Sequence, residues 1–283
     1  MRFDIITIFP EIFNSFQSEA LIARAQKKKI ISINPHNLRK WTADAHQSVD
    51  DRPYGGGAGM VMMVEPILKA VMVLRKSPPP SIPPTRGGKG KNKRFLPPRW
   101  GRQGEGARVI LFSAKGKKFN QSMARTWAKK YGQLILICGR YEGIDERVAE
   151  YIADEEVSIG DYVLFGGEVP AMVVMEAVTR LLPGAIGKQQ SLADESFNGT
   201  SGIIKQQKSG LVEYPHYTRP EVIKIEGKAR SVPKVLLTGN HKLIQDWRRE
   251  QSVRMTKKLR PDLLLSKSLR PRAKSRGKQS QEK

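Results

Sequence analysis

The chain has one cysteine, Cys138, among 283 residues, so no internal disulfide can form and no Cys/His cluster matches a zinc site. Long apolar runs are missing too. The longest strand-like ones, Val109 to Phe112 and Leu134 to Cys138, fall far short of the roughly 20 residues that cross a bilayer. Met1 to Pro10 reads as a strand entering a turn and lacks the basic start, apolar middle and small-residue cleavage site of an export signal. These absences predict a cytoplasmic, non-membrane protein. No stretch has phosphate-binding P-loop spacing. The first strand ends Ile8-Phe9-Pro10 with no glycine fingerprint behind it, which weakens a dinucleotide-fold reading.

Acidic residues are also scarce, 27 against 50 Lys and Arg, for a net charge of +23. The excess is localised: Arg75 to Arg108 and Gln251 to Lys283 each carry a net +9, leaving +5 for everything else. A polyanionic partner is expected, with the two segments adding salt-dependent affinity through counterion release. Between Ser77 and Gly106 the chain is rich in Pro, Gly, Lys and Arg with almost no aliphatic residues. Such a segment does not bury enough surface to offset its ordering entropy, so a disordered basic insertion is predicted over about 77–106.

What remains is 39% hydrophobic overall and long enough for a substantial core. β-Branched apolar runs alternate with helix-like stretches, the pattern of an α/β protein with a largely parallel sheet flanked by helices. Strands are predicted at Phe3–Phe9, Ile30–Asn34, Val109–Ser113, Gln133–Cys138 and Glu156–Ile159. Helices are predicted at Pro10–Lys29 (broken near Ser18), Glu65–Lys76, Phe119–Lys130, Asp145–Ile152 and Val169–Leu182. A first domain over 1–186, a polar glycine-containing linker over 187–209, a smaller mainly helical C-terminal domain over 210–265 and a basic disordered tail over 266–283 complete the expected organisation.

Glycines follow the later strands, in Phe112-Ser113-Ala114-Lys115-Gly116, Cys138-Gly139-Arg140-Tyr141-Glu142-Gly143, and Ser158-Ile159-Gly160 through Gly166-Gly167. Any one of these loops could be an ordinary turn. Three together, beyond the carboxyl ends of parallel strands, suit a ligand that backbone groups must approach closely.

Several strings resemble the TrmD family, the bacterial tRNA (guanine-N1)-methyltransferases of the SPOUT superfamily. They are Val49-Asp50-Asp51-Arg52-Pro53-Tyr54-Gly55-Gly56-Gly57, Gly139 to Arg147, Ser158 to Leu164, Tyr214-Pro215-His216-Tyr217-Thr218-Arg219-Pro220, and Leu236 to His241. The resemblance runs from Met1 to about Leu265, the basic insertion excepted. It implies a SPOUT-type α/β knot (a deep trefoil knot), an obligate homodimer, tRNA as substrate, S-adenosyl-L-methionine as methyl donor and dependence on Mg2+. It also implies that Leu111, Phe112, Ser113, Gly139, Tyr141, Glu142, Ser158, Ile159, Gly160, Tyr162, Leu164, Gly166, Gly167 and Pro170 line the donor pocket. The implied substrate atom is N1 of the guanosine just 3′ of the anticodon, whose methylation maintains the reading frame.

The chemistry sets its own requirements. Guanine N1 carries a proton and becomes a good nucleophile only as a positioned base removes it, while negative charge moves onto O6, where a cation stabilises it. The family's base stands immediately before a Ser-Phe pair, a position held here by Glu195 ahead of Ser196-Phe197, with Asp194 one residue earlier. Glu195 fits the register; Asp194 is the alternative base or a participant through magnesium. Arg180 matches the arginine assigned to O6, although a cation there also suits the end of a helix. By resemblance Asp50, Arg52, Tyr54, Ser191, Phe197 and His216 contact the substrate, and Glu142, Asp194 and Glu195 are candidate magnesium ligands. Two other readings stay open from the residues alone: a noncatalytic RNA-binding protein on the same fold, and a methyltransferase acting on a different nucleotide.

Overall fold

In a computed structural model the chain is described over residues 1–76, 106–186, 196–197 and 210–264. The predicted insertion (all but Gly106), most of the linker and the tail lie outside the described residues. The chain divides into two compact units, Met1–Gly187 and Lys188–Lys283.

The first unit begins with β1 (Arg2–Thr7), a 3-10 turn (Pro10–Phe13), α1 (Asn14–Ser18), α2 (Ala20–Lys27) and β2 (Ser32–Asn37). The helical stretch after Pro10 breaks where Glu19 turns extended and Ala20 takes a left-handed φ of 48°. Two short strands, β3 (Asp50–Asp51) and β4 (Val61–Met62), pair antiparallel and are followed by α3 (Val64–Lys76). Then come β5 (Ala107–Lys118), α4 (Gln121–Lys130), β6 (Gln133–Ile137), α5 (Glu146–Tyr151), β7 (Glu155–Ser158) and α6 (Glu168–Thr179). Polar side chains start two of these helices, Asn120 accepting from Met123 N–H and Asp145 from Arg147 N–H, so donors that a helix leaves orphaned are satisfied.

Five strands form one sheet in the order β2-β1-β6-β5-β7, every pairing parallel. Both faces are covered, as parallel sheets require. Ile110, Phe112, Leu134 and Leu136 point to one face, where Ile22 and Ala25 of α2, Trp127 of α4 and Val174 and Val178 of α6 meet them. Val109, Leu111, Ile135 and Ile137 alternate to the other face, against Ile67, Ala70 and Leu74 of α3 and Val148 of α5. A cavity left by Leu136→Ala in this fully buried layer would cost about 2–5 kcal/mol.

Strand β2 lies two to three residues later than expected, the short β3 and β4 are unexpected, and β5 outruns its expected end. β5 continues beyond Ser113 to Lys118, pairing with β7 first through Ile110–Phe112 and again through Lys117–Lys118, so residues 113–116 form an excursion between two stretches of ladder. Ser113 Oγ donates to Glu156 Oε1 at 2.7 Å. Gly116 lets the strand rejoin: a Cβ there would lie 2.5 Å from the Val157 nitrogen, where no side chain fits.

The second unit is not simply helical. β8 (Val222–Ile225) and β9 (Lys228–Ser231) make an antiparallel hairpin whose two turn residues, Glu226 and Gly227, both take positive φ, as the twist of a two-residue hairpin loop demands. Helix α7 (His241–Leu259) follows, capped by Asn240. The segment starting at Gly210 docks on α7: Val212 N–H donates to Thr256 Oγ1 at 3.0 Å, and that buried hydroxyl donates to Ser252 O at 2.7 Å. Among the described residues no helix is long and apolar enough to cross a membrane.

Candidate functional site

The carboxyl ends of β5, β6 and β7 open into a cavity of about 440 Å3. Its walls come from three chain segments: residues 111–115 of β5, the loop from Gly139 into α5, and the stretch from Glu156 to Pro170. All fourteen residues that the sequence resemblance assigns to the methyl donor line this one cavity.

Backbone closeness explains the glycines. Gly167 N–H donates to Gly139 O at 3.0 Å, bringing the β6–α5 and β7–α6 loops into direct contact. A Cβ on Gly167 would lie 2.6 Å from Cys138 Cα and 3.0 Å from Gly139 N, so any side chain would force the two loops apart. The β6–α5 loop is held on its other flank as well. Glu142 N–H donates to Met60 O, and Met62 N–H to Gly143 O. Tyr141 sits in the left-handed region at φ 60°, a conformation that costs a non-glycine residue about 1–2 kcal/mol. Burial raises its phenol pKa, and a hydrogen bond to the Asp50 carboxylate raises it further.

The walls differ in chemistry. Leu111, Ile144, Leu164 and Pro170 give apolar surface, while Glu142, Glu146 and Glu156 bring carboxylates. Lys115 bonds Glu146 at 2.7 Å, and that hydrogen bond is the main reason its pKa rises. An apolar slot edged by charged groups, with Glu146 and Glu156 already facing Lys115, suits a small ligand that has both an aromatic and a charged end. Tyr162, Val163, Leu164 and Phe165 form an exposed apolar rim, Phe165 almost wholly in solvent.

The model of the tRNA (guanine-1)-methyltransferase TrmD family matches residues 1–266. The chain belongs to the TrmD family. Curated relatives agree: a tRNA (guanine-N(1)-)-methyltransferase of Carboxydothermus hydrogenoformans is 45% identical, covering 95% of this chain and 89% of its own. Enzymes of that name from Clostridioides difficile and Microcystis aeruginosa are 42% and 43% identical. Each alignment covers 93% of this chain, and 97% and 96% of theirs respectively.

The remaining residues singled out through the TrmD resemblance are dispersed. Arg180 is partly buried at the carboxyl end of α6 and does not line the cavity. Asp50 is on β3 beside Tyr141; Arg52 is exposed and Tyr54 fully so. In the second unit Phe197 stacks under the Arg260 guanidinium at 5.6 Å, and His216 Nε2 lies 2.8 Å from Glu213 Oε1 with its ring 4.8 Å from that of Tyr214. Ser191, Asp194 and Glu195 lie outside the described residues. Among the described residues no group of three or more His, Cys, Asp or Glu could hold a metal ion, and Glu142 is the one candidate magnesium ligand among them. Sequence reasoning missed Lys115, Arg140, Ile144, Glu146 and Glu156 as cavity residues. Four of them sit inside or beside the quoted strings, and only Glu156, at the start of a strand, carries no motif signal.

Proposed function

We propose that this TrmD-family chain transfers a methyl group from S-adenosyl-L-methionine to N1 of the guanosine 3′-adjacent to the anticodon in tRNA, an activity that supports reading-frame maintenance. The observation that carries the reading is the convergence of all fourteen assigned donor-site residues on one cavity at the carboxyl ends of three adjacent strands. Its size lies within the range of small-molecule sites, about 300–1,000 Å3. The apolar wall would receive the purine ring, and Glu142 would face the positive charge of the methionyl arm. The cofactor, when bound, supplies an electrophilic methyl group on a sulfonium.

The protein's own work is proton removal and charge stabilisation at the guanine. Glu195, directly before Ser196-Phe197, takes the N1 proton, with Asp194 as the alternative base. Arg180 stabilises the negative charge that moves to O6. Asp50, Arg52, Tyr54, Ser191, Phe197 and His216 belong to tRNA recognition in this reading. Mg2+ belongs to it through the family resemblance alone, with Glu142, Asp194 and Glu195 as candidate ligands.

A homodimer, with the cofactor site of one chain completed by the second domain of its partner, suits the exposed apolar rim at Val163 and Phe165 and the half-exposed Val169 and Val173 of α6. A threaded, knotted cofactor site and a cytoplasmic setting complete the proposal. The second is supported by the lone thiol of Cys138, buried and unpaired.

Calorimetric titration with S-adenosylmethionine, followed by turnover of Glu195→Gln, Asp194→Asn and Arg180→Ala on unmodified tRNA, tests these roles. Glu195→Gln should lose turnover and keep donor affinity. Near-normal turnover in Glu195→Gln beside an inactive Asp194→Asn would transfer the base to Asp194, and a wild type that takes up no donor would refute the reading of the cavity.

A further inference from the structure

Beneath the cavity floor a buried carboxylate joins three loops that sequence separates. Glu168, the first residue of α6, is 1% exposed. Its Oε1 accepts from Thr7 Oγ1 at 2.7 Å, and its Oε2 lies 2.9 Å from Nη2 of Arg140. Thr7 is itself buried at the end of β1, where its hydroxyl oxygen accepts from Phe9 N–H at 3.0 Å. The Arg140 guanidinium stacks on the Phe9 ring at 4.8 Å. The end of β1, the loop after β6 and the amino end of α6 therefore meet at one charged pair.

We propose that Glu168 and Arg140 are positioning residues for the methyl-donor cavity, an ion-paired strut that fixes the β6–α5 loop against the amino end of α6. The inference rests on the reading of the cavity as the donor site.

Stability alone is a poor reason for this arrangement. A buried ion pair gains little over well-packed apolar residues, because both charges lose their water, and Arg140 Nε is buried here without a hydrogen-bond partner. Fixed geometry is what the pair supplies. Arg140 stands between Gly139, whose carbonyl accepts from Gly167, and Tyr141, whose left-handed backbone would relax if the loop were released. Glu168 directly follows Gly167 in sequence. The first turn of α6 favours the carboxylate, since unpaired N–H groups and the helix dipole both attract negative charge there. Without that carboxylate the Arg140 cation loses its counter-ion, and its 21% exposed side chain has a route to water that draws the loop off Gly167. Supporting residues of this kind shift binding sites without touching the ligand.

The test is a double-variant cycle on the full chain: Glu168→Gln, Arg140→Met and the combination, with Arg140→Lys as a milder variant that keeps the charge and so the fold. Donor affinity is measured by calorimetry at a temperature where each variant is folded by circular dichroism. The same samples are scored for KM and kcat, and for the rate at which Cys138 reacts with a thiol reagent. Cys138 is fully buried and touches the Gly167 junction; because the Arg140 cation lowers its pKa, faster labelling in Arg140→Met reports loop opening and not a more acidic thiol. The expected result is a rise in donor Kd and KM on the order of tenfold or more in Glu168→Gln. Its kcat should fall by less, and Cys138 labelling should accelerate in Arg140→Met as well as in Glu168→Gln. The combination should bind no worse than the poorer single variant, since both remove one interaction. Arg140→Lys should fall between wild type and Arg140→Met.

Unchanged donor affinity and labelling in folded Glu168→Gln, or single effects that simply multiply in the combination, would overturn the proposal. If Glu168→Gln does not fold, Arg140→Lys decides: a Kd and labelling rate equal to wild type would overturn it. A wild type that binds no donor would instead refute the cavity reading, while the labelling series would still report on the strut.

Discussion

Gly167→Ala isolates what close backbone contact contributes to the site. The added Cβ would sit 2.6 Å from Cys138 Cα, whereas ordinary contact begins at 3.4 Å, so the junction must open by about 0.8 Å. Both neighbours are held firmly, Cys138 at the end of β6 and Gly167 at the start of α6, and neither side can yield by rotating a flexible side chain. Overpacking at such a point costs about 1–3 kcal/mol. The same displacement stretches the 3.0 Å bond from Gly167 N–H to Gly139 O and moves two cavity walls apart. Donor affinity should therefore fall on the order of tenfold, read by calorimetry beside a urea unfolding curve. The control is Val71→Ala on α3, a buried position remote from the cavity lining that should lose a similar 1–3 kcal/mol, roughly, with donor affinity intact. If Gly167→Ala binds the donor as wild type does, or Val71→Ala weakens binding equally, the contact between the two loops is not what shapes the cavity.

Further outcomes follow from the same structure. Asp4 is fully buried in β1 with Arg2, His36 and Gln133 around it; burial raises its pKa, but the hydrogen bonds from His36, Arg2 and Gln133, with the charge of Arg2, outweigh burial and leave it below 3.8. Because the folded pKa is the lower one, its contribution is complete above the unfolded value near 3.8 and disappears as pH falls through the folded value. Asp4→Asn should cost about 3–5 kcal/mol at pH 7 and flatten the acid limb of a stability–pH curve measured by denaturant unfolding. Burial, then the nearby Glu168, push the Cys138 thiol well above its ordinary pKa against the opposing Arg140, so the native protein should resist thiol reagents at pH 8 and react fully once unfolded. Arg180→Ala should lower kcat by about 10²–10³ while calorimetry shows donor affinity close to wild type, because Arg180 does not line the cavity. An equal loss in donor affinity would count against its assignment to guanine O6.

The parallel sheet was readable because its strands are buried on both faces and therefore appear as continuous β-branched runs, as in Leu134 to Ile137. The three glycine loops stand out in the sequence because at Gly116 and Gly167 the backbone of another strand or loop approaches so closely that no side chain fits. Where reading fell short, the cause was tertiary. The extension of β5 to Lys118 depends on Gly116 meeting Val157, a contact between residues 41 apart that no local pattern announces. Hairpin β8–β9 has alternating residues and a Glu226-Gly227 turn, but both strands are short and exposed, so hydrophobic patterning barely marks them. The Thr7, Arg140 and Glu168 cluster was invisible for the same reason: three ordinary residue types, meaningful only once β1, β6 and α6 lie side by side.

The most direct test is to incubate the protein with unmodified tRNA and S-adenosylmethionine labelled in its methyl group, then to digest the tRNA and identify the labelled nucleoside and its position. The predicted product is N1-methylguanosine immediately 3′ of the anticodon. Label in another nucleoside, or no transfer by protein that is folded and binds the donor, would contradict it.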